Sequence, residues 1–344
     1  MITARARVAA VALAAVAGCS GAPLPADFAH AQSFESTDPD RARSLYDALA
    51  ARCAHERLPH DDCALVAVRR AELDESAARF ADAEREWLRA ADVTTQPRTA
   101  ARALQRAADV AHADLHDEAT AAALAWRTVE TYPDEIPADD ALKLAIRIDE
   151  PRDWQALAAR LAALYPRVVK FDAGDNVLFE RGMLLARHNR AADAIAIFDQ
   201  LADAYPHSSL RDDGLWRAAE LLRKSGDFDG ALRHLRRILA SRKDAIITGS
   251  YNYLQLDDAQ LLVGRIYLDD LHDPARAAEA FELLADDYPA STLRDDALYD
   301  LARAKQEQHD TAAACRALAR LLKQFPDGNR VRAARSLQQE LGCT

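Results

Sequence analysis

The sixteen residues LADAYPHSSLRDDGLW, Leu201–Trp216, return 83 positions later as LADDYPASTLRDDALY, Leu284–Tyr299. From Phe198 to Asp213 the first copy is identical to the second at 11 of 16 positions. A chain that repeats itself in this way builds its fold from one small unit used several times, so the period has to be settled before any site. Tyr-Pro or Phe-Pro stands at Tyr132-Pro133, Tyr165-Pro166, Tyr205-Pro206, Tyr288-Pro289 and Phe325-Pro326, spaced 33, 40, 83 and 37 residues apart. The 83 is two units, the first of which ends in ASRKDAIITGSY instead of Tyr-Pro. Apolar residues recur at three and four positions, and long β-branched runs of period two are missing. The chain therefore reads as all-α, each unit a helix pair whose second helix is stopped by Pro.

The recurring Asp pairs, Asp212-Asp213 and Asp295-Asp296, raise the question of paired catalytic carboxylates. Their position after Tyr-Pro answers it as helix initiation. Ser209 reads as N-cap with Asp212 at N3, and Thr292 with Asp295 repeats the spacing. Acidic residues in a first turn also face the positive end of the helix dipole. His112 and His116 are spaced i, i+4, but no Glu completes an HExxH motif, and they read as surface residues, as do His55 and His60. No GxSxG elbow, GxGxxG or P-loop is present. The expectation is a protein without catalytic, cofactor-binding or metal-binding residues. The net charge of −11 argues against a nucleic-acid partner. The stretch GSYNYLQLDD, Gly249–Asp258, reads as a long connector.

Residues 1–18 read as a signal peptide: Arg5 and Arg7 form a basic region, and Val8–Gly18 is an apolar stretch too short to span a bilayer. Val16-Ala17-Gly18-Cys19 then resembles the lipobox of bacterial lipoproteins. That resemblance implies a diacylglycerol on the Cys19 thiol and an acylated amine, hence stable membrane anchoring. Ser20, where an Asp would retain the protein at the inner membrane, implies an outer-membrane lipoprotein facing the periplasm. Residues 19–38 have the small, polar composition of a flexible tether. Of the remaining cysteines, Cys53 and Cys63 flank one helix–helix connection, and Cys315 and Cys343 lie at the open end of another hairpin. The pairs Cys53–Cys63 and Cys315–Cys343 are expected as disulfides of roughly 3 kcal/mol each in an oxidising compartment, the alternative being four free thiols.

The helix-pair units resemble tetratricopeptide repeats, whose pattern sets large residues at positions 4, 11 and 24, small ones at 8 and 20, and Pro at 32. Leu178, Gly182, Leu185, Ala194, Phe198 and Pro206 fit throughout. Leu215, Ala219, Leu222, Ala231 and Leu235 follow, then Gly264, Tyr267, Ala277, Phe281 and Pro289 with one extra residue in the turn, then Leu298, Ala302, Ala314, Leu318 and Pro326. The resemblance implies a right-handed α-solenoid, with degenerate repeats over 39–170 and clear repeats with a C-terminal capping helix over 171–344. It also implies that the first helix of each pair lines a concave groove. Carried over, the groove positions are Phe179, Met183, Arg187, Trp216, Glu220, Arg223, Leu261, Arg265, Tyr299 and Arg303. Such a ladder suits an extended or helical segment of a partner protein, although an aromatic at position 5 also serves packing.

The chain is similar to the solenoid lipoproteins of the barrel-assembly machinery (BamD-type) and to the repeat domain of the Tol–Pal-associated cell-division coordinator (CpoB-type). The expected function is a non-enzymatic, protein-binding scaffold, lipid-anchored in the cell envelope. The alternative is an accessory or subunit of a peptidoglycan enzyme or a secretion-system complex.

Overall fold

A computed structural model describes residues 26–56, 58–240 and 253–343. It is all-helical among the described residues, and the chain divides between Ala145 and Ile146 into two compact units. The first contains α1 (Ala26–Gln32), α2 (Pro39–His55), α3 (His60–Ser76), α4 (Phe80–Val93), α5 (Pro97–Ala113) and α6 (Glu118–Thr131). The long α7 (Pro137–Val168) crosses the division. The second unit continues with α8 (Ala173–Arg187), α9 (Ala191–Ala204), α10 (Leu210–Ser225), α11 (Phe228–Ala240) and α12 (Tyr253–Arg265), which runs on as a π turn (Ile266–Asp270). It ends with α13 (Pro274–Asp287), α14 (Arg294–Glu307), α15 (Thr311–Gln324) and α16 (Val331–Leu341). Within each unit a helix packs on the next in sequence, as in a row of helix pairs. The signal peptide and Cys19 lie outside the described residues, as does the connector Gly249–Asp258 up to Tyr253, where α12 begins. No helix among the described residues is long and apolar enough to cross a membrane.

Each pair turns in the same way. Ala78, His116, Asn189, Gly226, His272 and His309, one in each α3–α4, α5–α6, α8–α9, α10–α11, α12–α13 and α14–α15 turn, have positive φ. The amide that follows reaches back over the helix end: Arg79 N–H to Asp74 O at 2.8 Å, Arg190 to Leu185, Asp227 to Leu222 and Asp310 to Lys305, each at 2.9 Å. These bonds close the last helical turn and satisfy carbonyls that would otherwise have no partner. Asp38, Asp117, Asp273 and Asp310 then cap the helices that follow them, accepting N–H groups of the first turn.

Tyr132, Tyr205, Tyr288 and Phe325 are helix C-caps with φ between −118° and −130° and ψ between 54° and 68°, outside the α region that is disfavoured before Pro. Tyr165-Pro166 departs from the expectation: α7 continues through Pro166 to Val168. Its break comes earlier, at Asp153 (φ −160°, ψ 92°), whose carboxylate accepts the Ala156 N–H at 2.9 Å and starts the helix afresh. Residues 26–38 are likewise not tether. Phe28 of α1 is 2% exposed, and its ring meets that of Tyr46 at 5.4 Å. The tether drawn as 19–38 therefore does not extend past residue 25.

The core of the second unit depends on a volume exchange. A Cβ on Gly182 would stand 2.5 Å from Phe198 Cε1, and one on Gly264 would collide with the Phe281 ring. Where the small position is Ala219 or Ala302, the facing residue is Leu235 or Leu318, and all four are 0% exposed. Gly with Phe and Ala with Leu fill the same gap at close-packed density. The π turn at Ile266–Asp270 absorbs the extra residue of this repeat. Both expected disulfides are in place: Cys53–Cys63 with Cα atoms 5.7 Å apart and Cys315–Cys343 at 5.5 Å.

Candidate functional site

The first helices of successive pairs are tied at their starts. Asp61 of α3 accepts Thr94 Oγ1, Thr95 N–H and Thr95 Oγ1, each at 2.8 Å, and Gln96 Nε2 at 3.3 Å. Burial alone would raise the Asp61 carboxyl, but these four bonds outweigh it and hold it down at about 2. Ser208 Oγ donates in the same way to Asp175, and Ser291 Oγ to Asp257, while each hydroxyl accepts an N–H of the next helix, Leu210 or Leu293, at 3.0 Å. The acceptor and donor are 33 residues apart in the Thr94 and Ser208 bonds and 34 in the Ser291 bond, one repeat period.

This clasp corrects the reading of the Asp pairs. Ser209 is the N-cap of α10, but its side chain makes no capping bond, and the N-cap of α14 is Leu293, not Thr292. Asp212 and Asp295 do lie in first turns. By repeat position they correspond to Asp175 and Asp257, the clasp residues. Asp295 faces Gly328, where a Cβ would come within 2.7 Å of its Oδ2, and so has the space that a hydroxyl takes in the other clasps.

The charged groove positions are also engaged between helices. Arg223 donates to Asp270 at 2.6 Å. Arg265 donates to Asp300 at 2.9 Å, Arg303 to Asp269 at 2.9 Å and to Asp300 at 3.2 Å, and Arg330 to Asp296 at 2.7 Å. Asp296 and Asp300 are 7% and 3% exposed, and buried carboxylates need such partners. Burial works against the Arg303 charge, but Asp269 and Asp300 outweigh it and raise its pKa. Arg187 grips Glu150 at 3.0 and 2.7 Å. Chiefly through Arg187, with His188 at 3.0 Å adding to it, the Glu150 carboxyl is held below the usual range. The ring of His188 in turn stacks on Trp154 at 4.4 Å. Glu220 pairs with Arg217 at 2.9 Å on its own helix.

The apolar positions divide. Leu261 is only 5% exposed and belongs to the core, so it does not line a groove. Leu262, one residue on, is the half-buried side chain that turns outward. Phe179 packs with its ring 6.0 Å from that of Phe198, and Met183 lies against the same cluster. The Arg330 guanidinium lies over the Tyr299 ring at 5.5 Å. Trp216 is half-buried, and with Leu262 it walls a concavity of about 460 Å³ whose polar rim is Glu220, Arg223, Lys224 and Asp270. Lys224 is exposed and makes no ion pair among the described residues. Trp216 and Leu262 thus share one concavity, while Phe179, Trp216 and Tyr299 are all half-buried against the core.

Sequence reasoning missed Leu262, the Glu150–Arg187–His188–Trp154 cluster and the clasps. One signal was available: Asp203 and Arg237, Asp269 and Arg303, Asp286 and Arg320, and Asp296 and Arg330 are pairs of opposite charge, each pair 34 residues apart. His112 bonds the Glu118 carboxylate at 3.0 Å, and His116 sits in a left-handed turn away from any metal geometry. No group of three or more His, Cys, Asp or Glu suited to a metal occurs among the described residues.

Comparison with known proteins agrees with the repeat. The sequence model of the tetratricopeptide-repeat family matches residues 176–208, 258–291 and 296–328. No curated protein matches the chain. Among solved structures, PilW, a type IV pilus biogenesis factor, is similar at 17% identity over 68% of this chain and 97% of its own, with a TM-score of 0.39. The C-terminal part of a repeat protein from Cytophaga hutchinsonii is similar at 12% identity over 79% and 99%, with a TM-score of 0.43. A signal-transduction ATPase with a tetratricopeptide-repeat sensor from Pyrococcus horikoshii is similar at 14% identity over 92% and 52%, with a TM-score of 0.45. None of these scores reaches 0.5, and none carries the reading below. Repeats of this family are generally binding scaffolds rather than catalysts, and the chain has a fold suited to protein–protein interaction.

Proposed function

We propose that the chain is a protein-binding scaffold of the cell envelope, held at the outer membrane by lipid on Cys19, with no enzymatic role. In this reading it takes an extended or helical segment of an envelope protein across the first helices of the second unit. The observation that carries it is the Trp216–Leu262 concavity. Two large apolar side chains stand half-exposed there beside Lys224, which has no ion pair among the described residues, while the neighbouring charges Arg223 and Asp270 neutralise each other. A partner entering there meets an apolar anchor point without having to desolvate unpaired acids, the arrangement that produces hot spots. The residue preference follows: an apolar or aromatic side chain seated on Trp216, with a carboxylate near Lys224. Anchoring at an oxidising surface is supported by the two disulfides and by the VAGC motif.

The test is in-cell crosslinking with a photoreactive residue at position 216, followed by identification of the adducts. A single envelope protein, lost when Leu262→Asp is added, supports the groove reading. Adducts from the second helices of the pairs and none from position 216 would reject it. Cell fractionation of the Cys19→Ser chain tests the anchor separately, since an unchanged membrane fraction would remove the lipid from the account.

A further inference from the structure

The first unit holds a concavity of its own, of about 710 Å³, lined by residues that the proposed scaffold function does not use. Its wall is apolar: the Cys53–Cys63 disulfide, Leu58 and Pro59 of the α2–α3 turn, Val66 of α3 and Val93 of α4. Ala54 of α2 is exposed at its mouth. Two guanidinium groups, Arg70 and Arg89, and the exposed imidazole of His60 complete it. The acid in the lining, Glu56, is already held by Arg52 at 3.1 Å. Arg70 is engaged by Asp47 and Glu86, and its side chain is only 12% exposed. Its Nη1 lies 2.6 Å from Glu86 without a hydrogen bond that satisfies it. Arg89 is exposed and makes no ion pair among the described residues. Burial pushes the Arg70 guanidinium down, and the Arg43 and Arg89 charges add to that effect against the pull of Glu86. The pocket thus joins an apolar chamber to an excess of positive charge on one side, in a chain whose net charge is −11.

We propose that this pocket binds a single-chain amphiphile with an anionic head, its tail along the disulfide, Val66 and Val93 and its head on Arg89 and the near edge of Arg70. The size suits a small ligand: chambers of roughly 300–1,000 Å³ with a mostly apolar lining and a few placed polar groups hold drug-sized molecules. The charge suits it too, because an anion gives Arg89 a partner and relieves the crowding of like charges around Arg70. A neutral or cationic amphiphile gains the first benefit and not the second.

Dodecanoate is the probe, titrated calorimetrically below its micelle concentration into the full chain. One site per chain is expected. Decanoate, two methylenes shorter, should bind up to about 15-fold more weakly, since each methylene contributes roughly fourfold at full burial. Arg89→Glu should weaken dodecanoate at least tenfold and leave dodecanol unchanged. Ala54→Trp, which fills the mouth from an exposed position, should abolish binding of both. Leu58→Asp in the turn is the second variant should Ala54→Trp misfold, judged by its helical circular dichroism. Many weak sites per chain, equal binding by the filled variants, or no dependence on tail length would overturn the proposal. So would binding to anionic vesicles with none to monomeric dodecanoate, which would make the Arg89 face a membrane contact rather than a pocket.

Discussion

The two units solve the same packing problem with different residues. In the first, the helix contacts rest on alanine: Ala100, Ala101, Ala103, Ala107, Ala108 and Ala111 of α5 are at most 2% exposed, with bulk supplied by Trp87 and Trp126. In the second, rings enter glycine notches, Phe198 against Gly182 and Phe281 against Gly264. An alanine face lets helices approach in many sequences. A ring in a notch fixes one partner position. The family model matches residues 176–208, 258–291 and 296–328, two of which carry a glycine notch and the third the Ala302–Leu318 pair, while helix pairs run through both units.

The comparison is broken first by removing a ring. Phe198→Ala should cost about 3–5 kcal/mol in thermal or denaturant unfolding, because a buried ring leaves a cavity that the notch cannot fill. The same loss from Phe281→Ala is expected; a loss under 1 kcal/mol at either site would mean that the notch collapses freely. Cleaving Cys315–Cys343 as the double Ser variant should cost about 3–4 kcal/mol and cleaving Cys53–Cys63 slightly less, since the loops span 28 and 10 residues. Next comes a swap. Gly182→Ala alone should cost about 1–3 kcal/mol by overpacking, and Gly182→Ala with Phe198→Leu, which copies the Ala219–Leu235 solution, should recover most of it. A double variant no better than the single would sink the exchange argument.

The smaller effects sharpen the contrast in polar ties. Asp61 has a folded pKa of about 2, below the usual range of an unfolded aspartate, so its clasp stabilises above about pH 4. That contribution is lost as pH falls from there through 2. Asp61→Asn should therefore lower stability at neutral pH and flatten its acid dependence below pH 4; an unchanged acid limb in pH-dependent melting would show that the clasp is not ionic. Last, His309→Gly and Ala78→Gly should each stabilise by up to about 1 kcal/mol, because both residues hold positive φ where glycine is unstrained.

What the sequence made legible was local. The helix pairs, the Tyr-Pro ends, the extra residue near Tyr267 and both cysteine pairings follow from spacing within one hairpin, where periodicity and chain connectivity do the positioning. What it hid depends on how one repeat lies on the next. Leu261 and Leu262 are adjacent and chemically identical, and only the packing of α12 against α11 and α13 decides which is covered. Phe28 of α1 carries no periodic run long enough to announce a helix, and its burial against Tyr46 is a tertiary fact. Pro166 shows the same limit from the other side, a strong local stop signal overridden in α7. Of the candidate groove, Trp216 lines a concavity with Leu262, while the engagement of Arg223, Arg265 and Arg303 by acids was invisible to a reading made one repeat at a time.

The clasps bear on how such a chain grows. Asp175 and Ser208, or Asp257 and Ser291, belong to opposite ends of one period. A segment one period long therefore carries an acceptor at its head and a donor at its tail. Copied whole, it brings both halves of its clasp with it, and no carboxylate is orphaned. Copied with an end missing, it strands an acid such as Asp257, which is 6% exposed, without its hydroxyl. A whole period added to this chain would bring its own clasp, whereas at Asp295 the hydroxyl is replaced by Gly328.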